Sequence, residues 1–209
     1  MISKIFRFYR LPLYIMVRPF DGFYDMKHRN EGRVWLAFLN LALVCASLAF
    51  SNQYASIFVN EQNPMTLNSF LDVIILCGAL LLFCISNWSV SSLTDGEGKF
   101  KEIFMAVCYA MTPLILIIVP ATIMSNALVA EETGFFMMII GVAIVYFVFL
   151  AFAGLIVVHN YGASKALGTL FLTFVALVII VFLITLLLTL WQQLISFLQS
   201  LYTEITFRR

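Results

Sequence analysis

Residues 94–99, TDGEGK, have the composition of a ligand-binding loop. Two glycines and a lysine suggest a phosphate loop, but the GxxxxGK[ST] spacing is absent, since no Ser or Thr follows Lys99. Two carboxylates are too few for the alternating oxygen ligands of a calcium loop. We therefore expect a tight turn between two helices, for which Asp95, Gly96 and Gly98 are suitable residues.

Other residue types that could bind a metal or act in catalysis are scattered. His28 and His159 are isolated in sequence, and no Ser/His/Asp set, HExxH or nucleotide motif is present. The cysteines lie in apolar runs without CxxC or CxxxH spacing and are expected to pack as small hydrophobic side chains. They are Cys45, Cys77, Cys84 and Cys108. The sequence thus predicts no enzyme, no metal and no cofactor.

The overall composition places the chain in a membrane. Of 209 residues, 63% are hydrophobic and 11% are charged, which leaves too little polar surface for a soluble globule. The net charge of +1 gives no field that would attract nucleic acid. Five apolar runs are long enough to cross the bilayer as helices: 34–51, 69–89, 101–125, 134–158 and 166–191. The expected fold class is an all-α, multi-pass membrane protein.

Lysines and arginines alternate between the predicted connections. Seven precede the first span, two lie in 90–101 and one in 159–165, whereas 51–68 and 125–133 carry none. Because basic residues are retained in the cytoplasm, we predict a cell-membrane protein with a cytoplasmic N-terminus and an external C-terminus. Arg208 and Arg209, at the end of the chain, oppose this orientation.

Two flanking segments are expected to be amphipathic. Residues 1–33 interleave aromatic and basic residues and are predicted to lie along the cytoplasmic headgroups. Residues 34–191 then form the membrane domain, and 192–209 extend the fifth helix with Leu198 and Leu201 on its apolar face. Membrane anchoring is favoured for the first segment. For the second, anchoring and docking of a partner helix both remain open.

A few polar residues interrupt the spans. Tyr109 and Pro113 are four residues apart in the third span, where the proline predicts a kink. The carbonyl that it frees needs a donor, such as Thr112 or a neighbouring helix. Asp72 lies about one turn from the outer end of the second span and is expected to reach water. Asn40, in the first span, is expected to bond a neighbouring helix.

The fourth connection leads into a run of small residues. Gly162 with Ala166, and Ser164 with Gly168, form two small-xxx-small pairs. Such pairs allow two helices to approach closely in a membrane. We therefore expect a helix contact at the start of the fifth span.

The ordered combination of these features resembles the Yip domain, the Ypt/Rab-interacting membrane protein family. It comprises five spans, a basic N-terminus, a glycine-bearing loop before a Tyr-x-x-x-Pro helix, and YGASKALG, from about Arg18 onward. RPFDGFYDMKHRNEGR and NWSVSSLTDGEGKFKEI resemble the bacterial branch. The resemblance implies a non-enzymatic accessory protein, often beside sugar-importing ATP-binding-cassette (ABC) transporters. The acidic N-terminal motif of GTPase-associated eukaryotic relatives is missing, so a small GTPase is not expected as partner.

Two classes of function remain. The leading one is a membrane adaptor that packs against the membrane subunits of a transporter, and the alternative is a small, oligomeric transporter or channel. A transporter needs a polar, water-accessible path, whereas an adaptor needs a nearly dry bundle and an apolar contact face. The scarcity of charge within the spans favours the adaptor. Membrane shaping through the amphipathic ends is a third possibility.

Overall fold

The structure, a computed structural model, describes residues 10–29, 31–59 and 68–207. The described residues contain helices and no strand, which confirms the predicted fold class. The helices are α1 (Arg10–Val17), α2 (Pro19–His28), α3 (Val34–Tyr54), α4 (Ser69–Leu93), α5 (Phe100–Ala110), α6 (Thr112–Ser125), α7 (Thr133–His159) and α8 (Ala163–Phe207). A short 3₁₀ turn, Ala130–Glu132, precedes α7.

Five helical segments within the described residues are long and apolar enough to cross a membrane. They are α3, α4, α5 together with α6, α7 and α8, and they contain the five predicted spans. We refer to the end of the bundle that carries residues 94–99 and 160–162 as the basic end.

The third span forms the centre of the bundle. Every residue from 103 to 113 is buried, because α5 and α6 contact α1, α3 and α7, and α5 also packs against α4. Two thirds of the most apolar window of this span is buried, against 6% for α8. Polar side chains near residues 103–113 therefore need partners from neighbouring helices.

The N-terminal helices form a helical hairpin, α1 and α2 joined at Arg18. The two arms touch closely, since a Cβ added to Gly22 would lie 2.7 Å from Cγ1 of Ile15. The ring of Phe23 packs against α7, where a Cβ added to Gly154 would lie 3.0 Å away. Ile15, Phe23 and Met26 are fully buried. The hairpin is thus packed into the bundle as well as being amphipathic.

This packing adds a feature that the predicted interfacial segment did not include. Leu11 and Pro12 of α1 are buried too, and Pro19 begins α2 at a position where its missing N–H costs nothing. Residues 1–9 lie outside the described part of the chain. The placement along the headgroups stays a prediction for residues 1–9, whereas the hairpin, residues 10–28, is packed into the bundle.

The last helix leaves the bundle. In α8, the buried residues are Ala166, Thr169 and Thr173, which lie in its first third and pack mainly against α4. All residues from 181 to 207 are exposed. A helix of 45 residues is about 67 Å long, roughly twice the ~30 Å hydrocarbon core of a bilayer. The predicted extension therefore continues the fifth span as one uninterrupted helix.

Candidate functional site

The third span is interrupted at Met111, between α5 and α6. Pro113 has no N–H to give to the carbonyl of Tyr109. Thr112 replaces it, since its Oγ1 donates to that carbonyl at 2.7 Å. The span is thus interrupted where the proline predicts a kink, and one of the two predicted donors is present. Helix α6 continues through Pro120.

Asn40 of α3 joins this interruption. Its Nδ2 donates to the carbonyl of Cys108 and, at 3.3 Å, to Oγ1 of Thr112. Asn40 is fully buried. As predicted, its side chain bonds a neighbouring helix, and it holds α3 against the point where the third span is interrupted.

Tyr109 acts at a different place from Pro113, although the two form one sequence motif. The ring is fully buried, and its hydroxyl donates to the carbonyl of Arg33 at 2.8 Å. The same oxygen accepts from the N–H of Arg33 at 3.0 Å. Tyr109 therefore fixes the connection between the hairpin and α3, a role that its spacing from Pro113 does not indicate.

Asp72 lies at the end of the bundle opposite the basic end. Its Oδ2 accepts a 2.9 Å hydrogen bond from Nδ2 of Asn52, which joins α4 to α3. The side chain is partly buried rather than freely solvated.

Of the four residues in the small-residue pairs, Ala166 alone lies in a helix contact within the described chain. A Cβ added to Gly162 or Gly168 would meet no atom within 4 Å. Ser164 is exposed, whereas Ala166 is buried. Gly162, Ser164 and Gly168 therefore stay available for contact with another molecule. Leu198 and Leu201 are also exposed, on the free part of α8.

A polar cluster at the basic end was not anticipated from the sequence. His159 of α7 is 2% exposed, and its Nε2 lies 2.9 Å from Oδ1 of Asn87 on α4. Nδ2 of Asn87 donates in turn to Oγ1 of Thr173 on α8, at 3.1 Å. Three spans are thereby joined by side chains that lie far apart in sequence. We refer to Asn87, His159 and Thr173 as the histidine cluster.

The loop TDGEGK lies over the histidine cluster. A Cβ on Gly96 or Gly98 would lie 2.8 or 2.7 Å from Nδ1 of His159, so both positions require glycine. The ring of Tyr161 stacks on His159 with centroids 5.2 Å apart, and its hydroxyl lies 2.7 Å from Oγ1 of Thr94. The loop is a tight turn, as predicted, with glycines that permit close approach to an imidazole.

An ion pair connects this loop to the hairpin. Nζ of Lys27 lies 3.1 Å from Oε2 of Glu97, and Nδ2 of Asn160 donates to Oε1 at 3.4 Å. The hydrogen bonds from Lys27 and Asn160 hold the pKa of Glu97 below its ordinary value. The hairpin, the loop and the end of α7 therefore meet at the basic end.

Two cavities lie between the helices. One, of about 330 Å³, lies among α4, α5, α7 and α8 and is lined by apolar side chains such as Phe83, Met111 and Phe174. The other, of about 500 Å³, lies at the open end of the hairpin, away from Arg18, and is lined by Arg10 and Arg33 among others. Among the described residues, no group of three or more His, Cys, Asp or Glu side chains could hold a metal ion.

The side-chain contacts described above join one helix to another. Together with the five long apolar segments, they place the chain in the class of multi-pass helical membrane proteins. The family model of the Yip1 domain matches residues 13–199, so the chain belongs to the Yip1 domain family. The match includes most of the hairpin and much of the free part of α8. Neither the curated proteins nor the solved structures contain a match to this chain.

Proposed function

We propose that the protein is a non-enzymatic membrane adaptor, an accessory subunit that packs against other membrane proteins. The observation that carries this proposal is the free part of α8, residues 181–207, defined here as the free segment. All of its residues are exposed, and they include Leu, Ile, Phe and Trp side chains. A second membrane protein would bury this surface, whereas the rest of this chain does not.

The end of the free segment has the pattern of a docking helix. Leu194, Leu198 and Leu201 lie at three- and four-residue spacings and are exposed. The hydroxyls of Ser196, Ser200, Thr203 and Thr206 instead bond carbonyls of their own helix. A single helix with an apolar face is marginally stable in water, because helical stability comes mostly from packing. Contact with a partner would supply that packing.

The interior of the bundle supports an adaptor over a transporter. Buried Asn40, Asn87, Thr112 and Thr173 bond other helices or their own backbone. The 330 Å³ space is apolar. A transport path needs polar groups turned toward water, and the buried polar groups named here are turned toward one another.

The class of partner follows from the resemblance alone. The membrane subunits of a carbohydrate ABC importer are the first candidates to test, and small GTPases are not expected. The alternative function, a small transporter or channel, makes opposite predictions for the same set of variants.

The experiment compares two sets of variants for complex recovery in mild detergent and for solute uptake. Leu198→Asp with Leu201→Asp should lower the recovery of partner proteins, and Gln199→Asp, on the polar side of the same turn, is the matched control. Asp72→Asn and Asn40→Ala should matter less for recovery. The adaptor proposal fails if purified protein in liposomes transports solute, and if Asp72→Asn or Asn40→Ala abolishes uptake while the leucine variants do not.

A further inference from the structure

The hairpin reaches the middle of the membrane-spanning bundle. Near its turn, far from the basic end, the carbonyl oxygen of Met16 accepts a hydrogen bond from the hydroxyl of Tyr146. Tyr146 is the central residue of α7, about 20 Å from either end of that helix. At the other end of the hairpin, Lys27 pairs with Glu97 at the basic end. The hairpin therefore enters from the basic end and reverses near the bilayer midplane.

Two charges of opposite sign lie at this reversal. Arg18 joins the two arms, and Asp21 lies in the first turn of α2. Both residues are exposed, and neither side chain forms a hydrogen bond or ion pair with any residue that the structure describes. By contrast, Asp25 pairs with Arg29 at 3.3 Å, and Lys27 with Glu97, nearer the basic end.

Such charges are costly against lipid. Ionised side chains within the hydrocarbon region face a protein interior or water and pair with one another. The residues around Arg18 are apolar and also exposed: Val17 is 81%, Phe20 51% and Tyr24 52% exposed. The hairpin face made of Val17, Arg18, Phe20, Asp21 and Tyr24 thus combines an apolar surface with one positive and one negative group. We refer to it as the tip face.

We propose that the tip face binds the tip face of a second copy of this chain, with Arg18 of each copy paired to Asp21 of the other. A two-fold axis along the membrane normal would place the two α2 helices side by side and parallel. Arg18 and Asp21 are then about 4.5 Å apart in depth, which the long arginine side chain spans. The charge pattern is self-complementary, so one surface satisfies both copies. This dimer is independent of the adaptor function and leaves the free segment unoccupied.

The experiment measures association between donor- and acceptor-labelled copies by energy transfer in phosphatidylcholine vesicles that contain phosphatidylglycerol. The variants are Arg18→Asp, whose tip carries two acids, and Asp21→Arg, whose tip carries two arginines. Each variant alone should associate about tenfold or more weakly than the original chain, because a buried charge left without its partner is strongly destabilising. Mixing the two variants should restore association, since opposite tips then meet.

Control variants make the result specific. Glu131→Arg, at the end of the bundle opposite the basic end, changes the net charge by the same amount as Asp21→Arg. This variant should associate like the original chain. Circular dichroism checks that all variants keep their helices. A monomeric original chain, or single variants that associate normally, would overturn the proposal. Failure of the mixture to restore association would also overturn it, and would point to lipid phosphate or water as the partner of Arg18.

Discussion

Gly96 and Gly98 allow the loop TDGEGK to approach His159. Replacing either glycine by Ala should destabilise the fold by about 1–3 kcal/mol, because the added methyl would overlap the imidazole or the atoms beside it. Thermal unfolding in detergent measures the loss. Gly134→Ala and Gly141→Ala are matched controls, since an added Cβ there meets nothing within 4 Å. Equal effects at all four glycines would show that space near His159 is not the cause.

Glu97 should make the contact between loop and hairpin sensitive to acid. Its pKa is held below the ordinary value of 4.5 in the folded protein, so this contact stabilises the fold above that pH. The stabilisation should be lost as the pH falls through the lowered pKa of Glu97. Hydrogen exchange of residues 94–99 at a series of pH values measures the opening. In Glu97→Gln this acid-dependent step should disappear, and its persistence would assign the step to another group.

At the scale of single residues, the sequence predicted local chemistry better than distant pairing. Thr112 was a predicted donor because the carbonyl freed by Pro113 is about one turn away in the same span. The pairing of Asn87 with His159 depends on two helices being neighbours, which no local pattern encodes. The two glycines of the loop were the available signal for a close approach, but they did not identify what was approached.

At the scale of elements, Pro113 is expected to set the direction of the third span. Pro113→Ala restores an N–H donor to the carbonyl of Tyr109, so α5 and α6 should straighten into one helix. Double electron–electron resonance between spin labels at positions 101 and 124 should then report a longer distance between the two labels. Pro120→Ala should leave the distance unchanged, because α6 is already continuous there. An unchanged distance in Pro113→Ala would assign the interruption to the neighbouring helices instead.

The spans were predictable from hydropathy, whereas the hairpin was not. A run of about 20 apolar residues can be recognised without knowledge of the fold. The hairpin arms have 8 and 10 residues and are flanked by charges, which is the pattern of an interfacial segment. Their burial depends on Gly22, which allows the arms to touch, and on Gly154, which leaves room for Phe23 on α7. The contribution of these glycines becomes visible when the elements are placed together.

At the scale of the whole molecule, the orientation in the membrane rests on the distribution of Lys and Arg and stays a prediction. A single cysteine at Glu131 should react with an impermeant thiol reagent in intact cells, whereas one at Glu97 should react after permeabilisation alone. Glu61, which lies outside the described residues, is expected to behave like Glu131. Labelling of the cysteine at position 97 in intact cells would contradict the predicted orientation and show that the basic end lies outside.

The central claim is that the free segment of α8 docks onto another membrane protein, and site-specific photo-crosslinking in intact cells tests it most directly. A photoreactive residue at Leu198 should give one discrete protein adduct, whose yield falls when Leu201→Asp is added. The same probe at Gln199, on the polar side, should give much less. Adducts with lipid alone, or equal adducts at Leu198 and Gln199, would contradict the adaptor account.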